Sequence, residues 1–163
     1  MRFELKGIGN LSNEDRMKEL INYVKIQVDD EVSPLALAAN ISSFIMAITK
    51  DINWAGFYFL KDDQLILGPF QGLPACTRLS LDKGVCAKAF NDKKTTKVDD
   101  VHTFLNHIAC DSASESELVL PLFYEGEVYG VLDIDSPSKN RFTDLEVNSF
   151  DKIARLIEDR IYF

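Results

Sequence analysis

Two apolar runs, residues 118–124 and 128–135, stand on either side of Glu125-Gly126, and this arrangement narrows the fold of the 163-residue chain more than any other feature. Apolar, β-branched and aromatic runs broken by a turn-forming pair read as a β-hairpin. A second unit of the same kind precedes it. Residues 54–60 and 65–70 are apolar and aromatic-rich, with Lys61-Asp62-Asp63-Gln64 between them.

The flanks are helical. Ser12 with Asp15 three residues later is a capping-box-like start, and Met17, Leu20, Ile21, Val24 and Val28 follow at helical spacing. Ser33-Pro34 opens a second helix, with proline at the tolerated first position and Leu37, Ile41, Phe44, Ile45 and Ile48 as its apolar stripe. Thr143 with Glu146 repeats the capping signature, ahead of Val147, Phe150, Ile153, Ala154, Ile157 and Ile161. Helices, antiparallel hairpins and a last helix make an α+β chain, with one antiparallel sheet and helices packed on it. No repeat, low-complexity tract or Pro/Gly-rich linker interrupts it, so residues 1–163 read as one domain. Residues 71–116 carry the weakest pattern. A short helix is expected over 85–90 and a short strand over 95–98. Residues 99–116 read as a long polar loop, and a loop of that length in a compact domain is usually functional.

Charge excludes several classes of function. Eighteen Lys and Arg against 26 Asp and Glu leave a net charge of −8. A non-specific nucleic-acid binder needs a basic face, and so does a protein docking on anionic lipid. No apolar stretch approaches the ~20 residues of a membrane span. Residues 1–10 lack the basic-then-apolar pattern of an export signal. The cytosol is the expected compartment, where the three cysteines rest reduced unless they do redox work.

Those cysteines, Cys76, Cys86 and Cys110, are odd in number and show no CxxC spacing. They lie in loop-like segments beside Gly, Pro, Asp or Lys, which leaves two readings open: small core residues, or reactive thiols. Cys110 sits inside the long loop. A zinc set of Cys86, Cys110, His102 and His107 has a spacing that fits no standard pattern, and no metal is expected. His102 reads as a surface or core-edge histidine, while His107, three residues before Cys110, is placed to help hold a thiolate.

The carboxylates are as informative. Asp133 and Asp135 are two apart on a strand, so their side chains share a face; Glu115 and Glu117 repeat the spacing ahead of the partner strand. Val131, Leu132 and Ile134 make that strand look buried. Clustered carboxylates raise one another's pKa, and a protonated one can donate a proton while an ionised one binds an ammonium. Trp54 and Tyr58 also share a face, with Gly56 between them leaving room for a pocket wall.

Asn53-Trp54-Ala55-Gly56-Phe57-Tyr58, Gly68-Pro69-Phe70-Gln71-Gly72, Gly84-Val85-Cys86, Asp100-Val101-His102, His107-Ile108-Ala109-Cys110-Asp111 and Gly130-Val131-Leu132-Asp133-Ile134-Asp135-Ser136 together resemble the free methionine-(R)-sulfoxide reductases, which are GAF-domain enzymes. The resemblance spans about residues 51 to 151. It implies a GAF fold: a central antiparallel sheet, terminal helices on one face and a ligand pocket on the other. It also implies that Cys110 is the nucleophile and that Cys76 and Cys86 take part in resolution. Trp54, Tyr58, Glu117, Asp133 and Asp135 would line the methionine sulfoxide pocket. No bound cofactor is implied. The family acts on the free R-sulfoxide and is recycled by thioredoxin, which draws on NADPH through thioredoxin reductase; a homodimer is common in this fold. Asn106 replaces a usual glycine, and Lys83 and Ala87 flank Gly84-Val85-Cys86 where Arg and Gly are expected. A non-catalytic GAF ligand sensor and a zinc-dependent hydrolase are the rival readings. The three cysteines, which a sensor does not need, separate the first rival from the reductase.

Overall fold

Three side-chain caps fix the helices in a computed structural model that describes residues 5, 7–30, 33–104 and 113–162. Ser12 Oγ accepts from the Asp15 amide at 3.1 Å and donates to its carboxylate at 2.7 Å, ahead of α1, Asn13–Asp30. Ser33 accepts from the Ala36 amide and starts α2, Pro34–Ile48. Thr143 and Glu146 complete a reciprocal capping box at the start of the C-terminal helix, Asp144–Ile157.

Between them lie β1 (Trp54–Lys61), β2 (Gln64–Gly72), β3 (Arg78–Ser80), α3 (Val85–Asp92), β4 (Thr96–Val98), β5 (Ser116–Tyr124) and β6 (Glu127–Ser136), which makes the C-terminal helix α4. Both expected hairpins form. Each turns on a pair with left-handed backbone, Asp62-Asp63 and Glu125-Gly126, whose twist matches that of the strands. The six strands make one antiparallel sheet in the order β3-β2-β1-β6-β5-β4. β3 is an addition to the sequence reading, and so is a 3-10 turn at Val101–Thr103 inside the expected loop. Three residues of strand carry too few side chains to show a period. No helix among the described residues is long and apolar enough to cross a membrane.

Strand alternation splits the sheet into two faces. Ala55, Phe57, Leu118, Leu120, Leu122, Leu132 and Ile134 pack with Leu20, Ile41, Ile45, Phe150 and Ile153 from the N- and C-terminal helices. Trp54, Tyr58, Leu65, Val119 and Val131 point the other way, and α3 covers part of that face through Cys86 and Ala89. The architecture has the α+β layering that the resemblance implies, one antiparallel sheet with the terminal helices on one face.

Gly56 marks where this second face is most tightly fitted. A β-carbon there would fall on Phe70 Cβ, 2.6 Å from Trp54 Cη2 and 2.9 Å from Phe70 Cα. Backbone is among the obstacles, so a rotamer change gives no relief. Gly56→Ala is expected to cost about 1–3 kcal/mol, the usual penalty for overpacking. Thermal unfolding checks this, and an unchanged Tm would mean that β2 can move away from β1.

Candidate active site

Strand register brings the carboxylates together. Glu117 on β5 stands opposite Asp135 on β6, which stands opposite Trp54 on β1. In the next row of the same face, Val119 is opposite Asp133, and Asp133 is opposite Gly56. Gly56 adds no side chain of its own beside Asp133, and Phe70 and Trp54 fill the space over it. Glu117 and Asp133 are both buried, at 7% and 6% exposure, and Asp135 is half-buried.

Helix α3 adds a thiol. Its first turn places Cys86 Sγ 3.4 Å from Asp133 Oδ2 and 3.9 Å from Glu117 Oε1. The short helix expected over 85–90 forms as α3 and carries Cys86, which is buried there and not in the loop-like setting that its neighbours suggest. Cys86 is a free thiol. Cys76 is half-buried on the same face, and its sulfur is disulfide-bonded.

Burial dominates the electrostatics. It pushes the Glu117 carboxyl well above its ordinary range, with the charges of Asp133 and Asp135 adding to the effect. Burial also raises Asp133 from 3.8 to about 7, against the hydrogen bond from Cys86, which lowers it. The Cys86 thiol is driven up by burial and then by Asp133 and Glu117. This cluster therefore holds protons near neutral pH, and Cys86 stays a thiol. Asp133 Oδ1 is buried with no hydrogen-bond partner among the described residues.

One proton of this cluster has a measurable consequence. Between about pH 4 and pH 7 the folded protein keeps a proton on Asp133 that the unfolded chain has released, so stability falls as pH rises through that window. Above about pH 7 Asp133 adds no further slope. Urea midpoints are expected to drop across the window in the native protein and to flatten in Asp133→Asn. The same slope in the variant would place the proton on another group.

An aromatic wall adjoins the cluster. The Trp54 ring lies on Phe70, with centroids 5.3 Å apart, and on Tyr58 at 5.9 Å. Both polar tips reach the segment that follows β2. Trp54 Nε1 donates to the Leu73 carbonyl at 3.2 Å, and Tyr58 Oη donates to the Cys76 carbonyl at 3.0 Å. Burial, reinforced by Asp133, keeps the Tyr58 phenol protonated. Phe70 was not singled out from the sequence; its place in a hairpin opposite Gly56 was the available signal.

Cys110 and His107 lie outside the described residues. The chain on either side of them is held in place. The Val101 amide donates to the Glu115 carbonyl at 2.9 Å, and the Glu115 amide to the Ser136 carbonyl at 2.8 Å. Asn53 Nδ2 donates to Ser114 Oγ at 3.2 Å. Glu115 and Ser114 immediately precede β5 and its Glu117, so these bonds fix one end of that segment next to the carboxylates. His102 is exposed, with Nε2 3.3 Å from Glu115 Oε1. The structure groups Cys86 with Glu117 and Asp133, and His102 with Asp100 and Glu115.

The arrangement can hold an ammonium between ionised carboxylates, lend a proton from a neutral one, and receive an apolar group against the aromatic wall. Known proteins share its frame. A family model described as a GAF domain matches residues 38–161. The chain is 48% identical over 128 residues to the free methionine-R-sulfoxide reductase of Escherichia coli, covering 78% of each. It is 45% identical over 141 residues to Protein YtsP of Bacillus subtilis, covering 85% of this chain and 86% of that one. The X-ray structure of free methionine-R-sulfoxide reductase from Neisseria meningitidis, in complex with its substrate, matches with a TM-score of 0.89 at 33% identity, covering 99% of this chain and 94% of that one. The chain belongs to the GAF-domain family, in the group of relatives that includes the free methionine-R-sulfoxide reductases.

Proposed function

We propose that the protein reduces free L-methionine (R)-S-oxide to L-methionine. The observation that carries this reading is the pair Glu117 and Asp133, buried side by side next to an aromatic wall with no lysine or arginine paired to either among the described residues. Uncompensated buried carboxylates are costly for a fold. A substrate that brings an ammonium and accepts a proton gives them a use.

In this mechanism the Cys110 thiolate attacks the sulfoxide sulfur. A neutral carboxyl of the Glu117–Asp133 pair donates to the departing oxygen, and methionine leaves with Cys110 as sulfenic acid. The remaining carboxylate charge of the Glu117, Asp133 and Asp135 cluster holds the substrate ammonium. Trp54 and Tyr58 receive the ε-methyl group and so fix which face of sulfur meets the thiolate. Cys76 then condenses with the sulfenic acid, releasing water and leaving a disulfide. Cys86 is less suited to this step, because burial between two carboxylates suppresses its thiolate. Thioredoxin, supplied by NADPH through thioredoxin reductase, reopens the disulfide, and the cytosol is the setting in which that reductant is abundant. The protein itself carries no cofactor in this scheme.

Reduced protein mixed with excess free methionine-R-sulfoxide and no reductant tests the reading. It is expected to release about one methionine per chain and to lose two thiols. Binding of the sulfoxide with no methionine released would instead identify a ligand sensor.

A further inference from the structure

Two groups of side chains among the described residues bring three metal-capable atoms within 4.8 Å of one another: Cys86 with Glu117 and Asp133, and Asp100 with His102 and Glu115. They differ in what fills them. In the second, the Lys139 ammonium stands 2.8 Å from Asp100 Oδ2 and 3.9 Å from Glu115 Oε2, and His102 is exposed. A cation is in place there. The first has no lysine or arginine paired to it among the described residues, and Cys86, Glu117 and Asp133 are 5%, 7% and 6% exposed. One oxygen of the same cluster, Asp133 Oδ1, is buried with no hydrogen-bond partner among the described residues. Buried carboxylates are normally held by a partner charge or by a metal ion.

The spacing suits one ion. Tetrahedral zinc holds a thiolate sulfur at about 2.3 Å and a carboxylate oxygen at about 2.1 Å, which sets sulfur and oxygen about 3.6 Å apart. Cys86 Sγ lies 3.4 Å from Asp133 Oδ2 and 3.9 Å from Glu117 Oε1, on either side of that value. The three ligands come from α3, β5 and β6, so packed elements hold them in this arrangement. Calcium and magnesium take oxygen ligands, whereas a thiolate favours zinc and its heavier relatives.

We propose that Cys86, Glu117 and Asp133 form a binding site for a thiophilic divalent cation of the zinc class, and that the bound ion competes with the substrate for the carboxylates. The metal–sulfur bond forms as the Cys86 thiol proton leaves to solvent, and no electrons are transferred. Burial that suppresses the free thiolate does not oppose this, because a coordinating thiol is deprotonated by the metal itself. The ion is an inhibitor in this account and not a cofactor, since it neutralises the charge that the substrate ammonium needs. The competition rests on the reductase reading; the site does not.

Cadmium ion alone is the probe, because its bond to a thiolate carries an ultraviolet charge-transfer band. Unreduced protein, with Cys76 in its disulfide and Cys86 a free thiol, is titrated while that band is followed. Uptake of about one ion per chain is expected, reversed by a chelator. Cys86→Ser is expected to lose the band. Loss of an outer-shell partner alone weakens a metal site about 10- to 100-fold, so Glu117→Gln and Asp133→Asn, which keep the thiol, are each expected to weaken binding at least about a hundredfold. His102→Ala, in the other group, is expected to bind as the native protein does. No band in the native protein, a band retained in Cys86→Ser, or undiminished affinity in both carboxylate variants would each overturn the site. Free methionine-R-sulfoxide is expected to raise the cadmium midpoint. A midpoint that ignores the sulfoxide, in a protein that makes methionine from it once reduced, would overturn the competition. Cadmium binding as expected, in a protein that makes no methionine, would overturn the reductase reading and leave the metal site standing.

Discussion

Cys110→Ser is expected to lower methionine formation by at least about a thousandfold, the scale seen when a covalent nucleophile is removed. A serine hydroxyl stays protonated at neutral pH, is a poor nucleophile toward sulfur and has no stable state carrying the transferred oxygen. The variant should also yield no sulfenic acid adduct with dimedone. The structure makes rescue by Cys86 improbable on physical grounds, because its thiol is buried and faces Asp133 at 3.4 Å, where a thiolate would meet a like charge. Residual turnover near the native rate, measured as methionine released, would move the nucleophile to Cys76 or Cys86 and remove the basis of the mechanism.

Glu117→Gln should act in two opposite directions. The amide can neither hold an ammonium by charge nor donate a carboxyl proton, so kcat/KM for free methionine-R-sulfoxide is expected to fall by about 10²–10³, the range for one electrostatic or acid–base group. The fold should gain at alkaline pH. Glu117 is buried against Asp133 and opposite Asp135, and burial pushes its carboxyl well above its ordinary range. At a pH above that raised value the native side chain must ionise in an unfavourable setting or hold a proton that the unfolded chain has given up, and both lower stability. A neutral isostere removes this cost. The urea midpoint of Glu117→Gln should therefore exceed that of the native protein at alkaline pH, and the gain should vanish in acid, where both states are protonated. Such an exchange of stability for activity marks a functional carboxylate. Lost activity with a lowered midpoint at alkaline pH would instead mark Glu117 as a structural residue.

Most of this site is legible in the sequence because strands write their faces at a period of two. Asp133 and Asp135, Glu117, and Trp54 with Tyr58 are each assigned to a face by spacing alone, and pairing of the two hairpins then aligns Trp54, Asp135 and Glu117 in one row. The caps at Ser12, Ser33 and Thr143 are equally readable, since a side chain three residues from its amide is a local event. What escapes is whatever depends on docking. The position of α3 decides that Cys86 meets Asp133, and nothing within eight residues of helix encodes that contact. The bonds from Trp54 and Tyr58 to residues 73 and 76 are likewise invisible before the chain turns back. β3 is set by pairing with Gln64, Leu65 and Ile66, not by its own three residues.

The central claim is that a buried carboxylate pair selects one free amino acid, whose sulfoxide the Cys110 thiolate reduces. It is tested most directly by NADPH consumption with thioredoxin and thioredoxin reductase on three substrates: free methionine-R-sulfoxide, free methionine-S-sulfoxide and a peptide carrying the sulfoxide. A peptide has an uncharged amide where the pocket expects an ammonium, and the S form turns the wrong face of sulfur to the thiolate. Turnover is therefore expected on the free R form alone. Turnover on none of the three, repeated with dithiothreitol as reductant, would contradict the claim and identify a GAF domain that binds a ligand without reducing it.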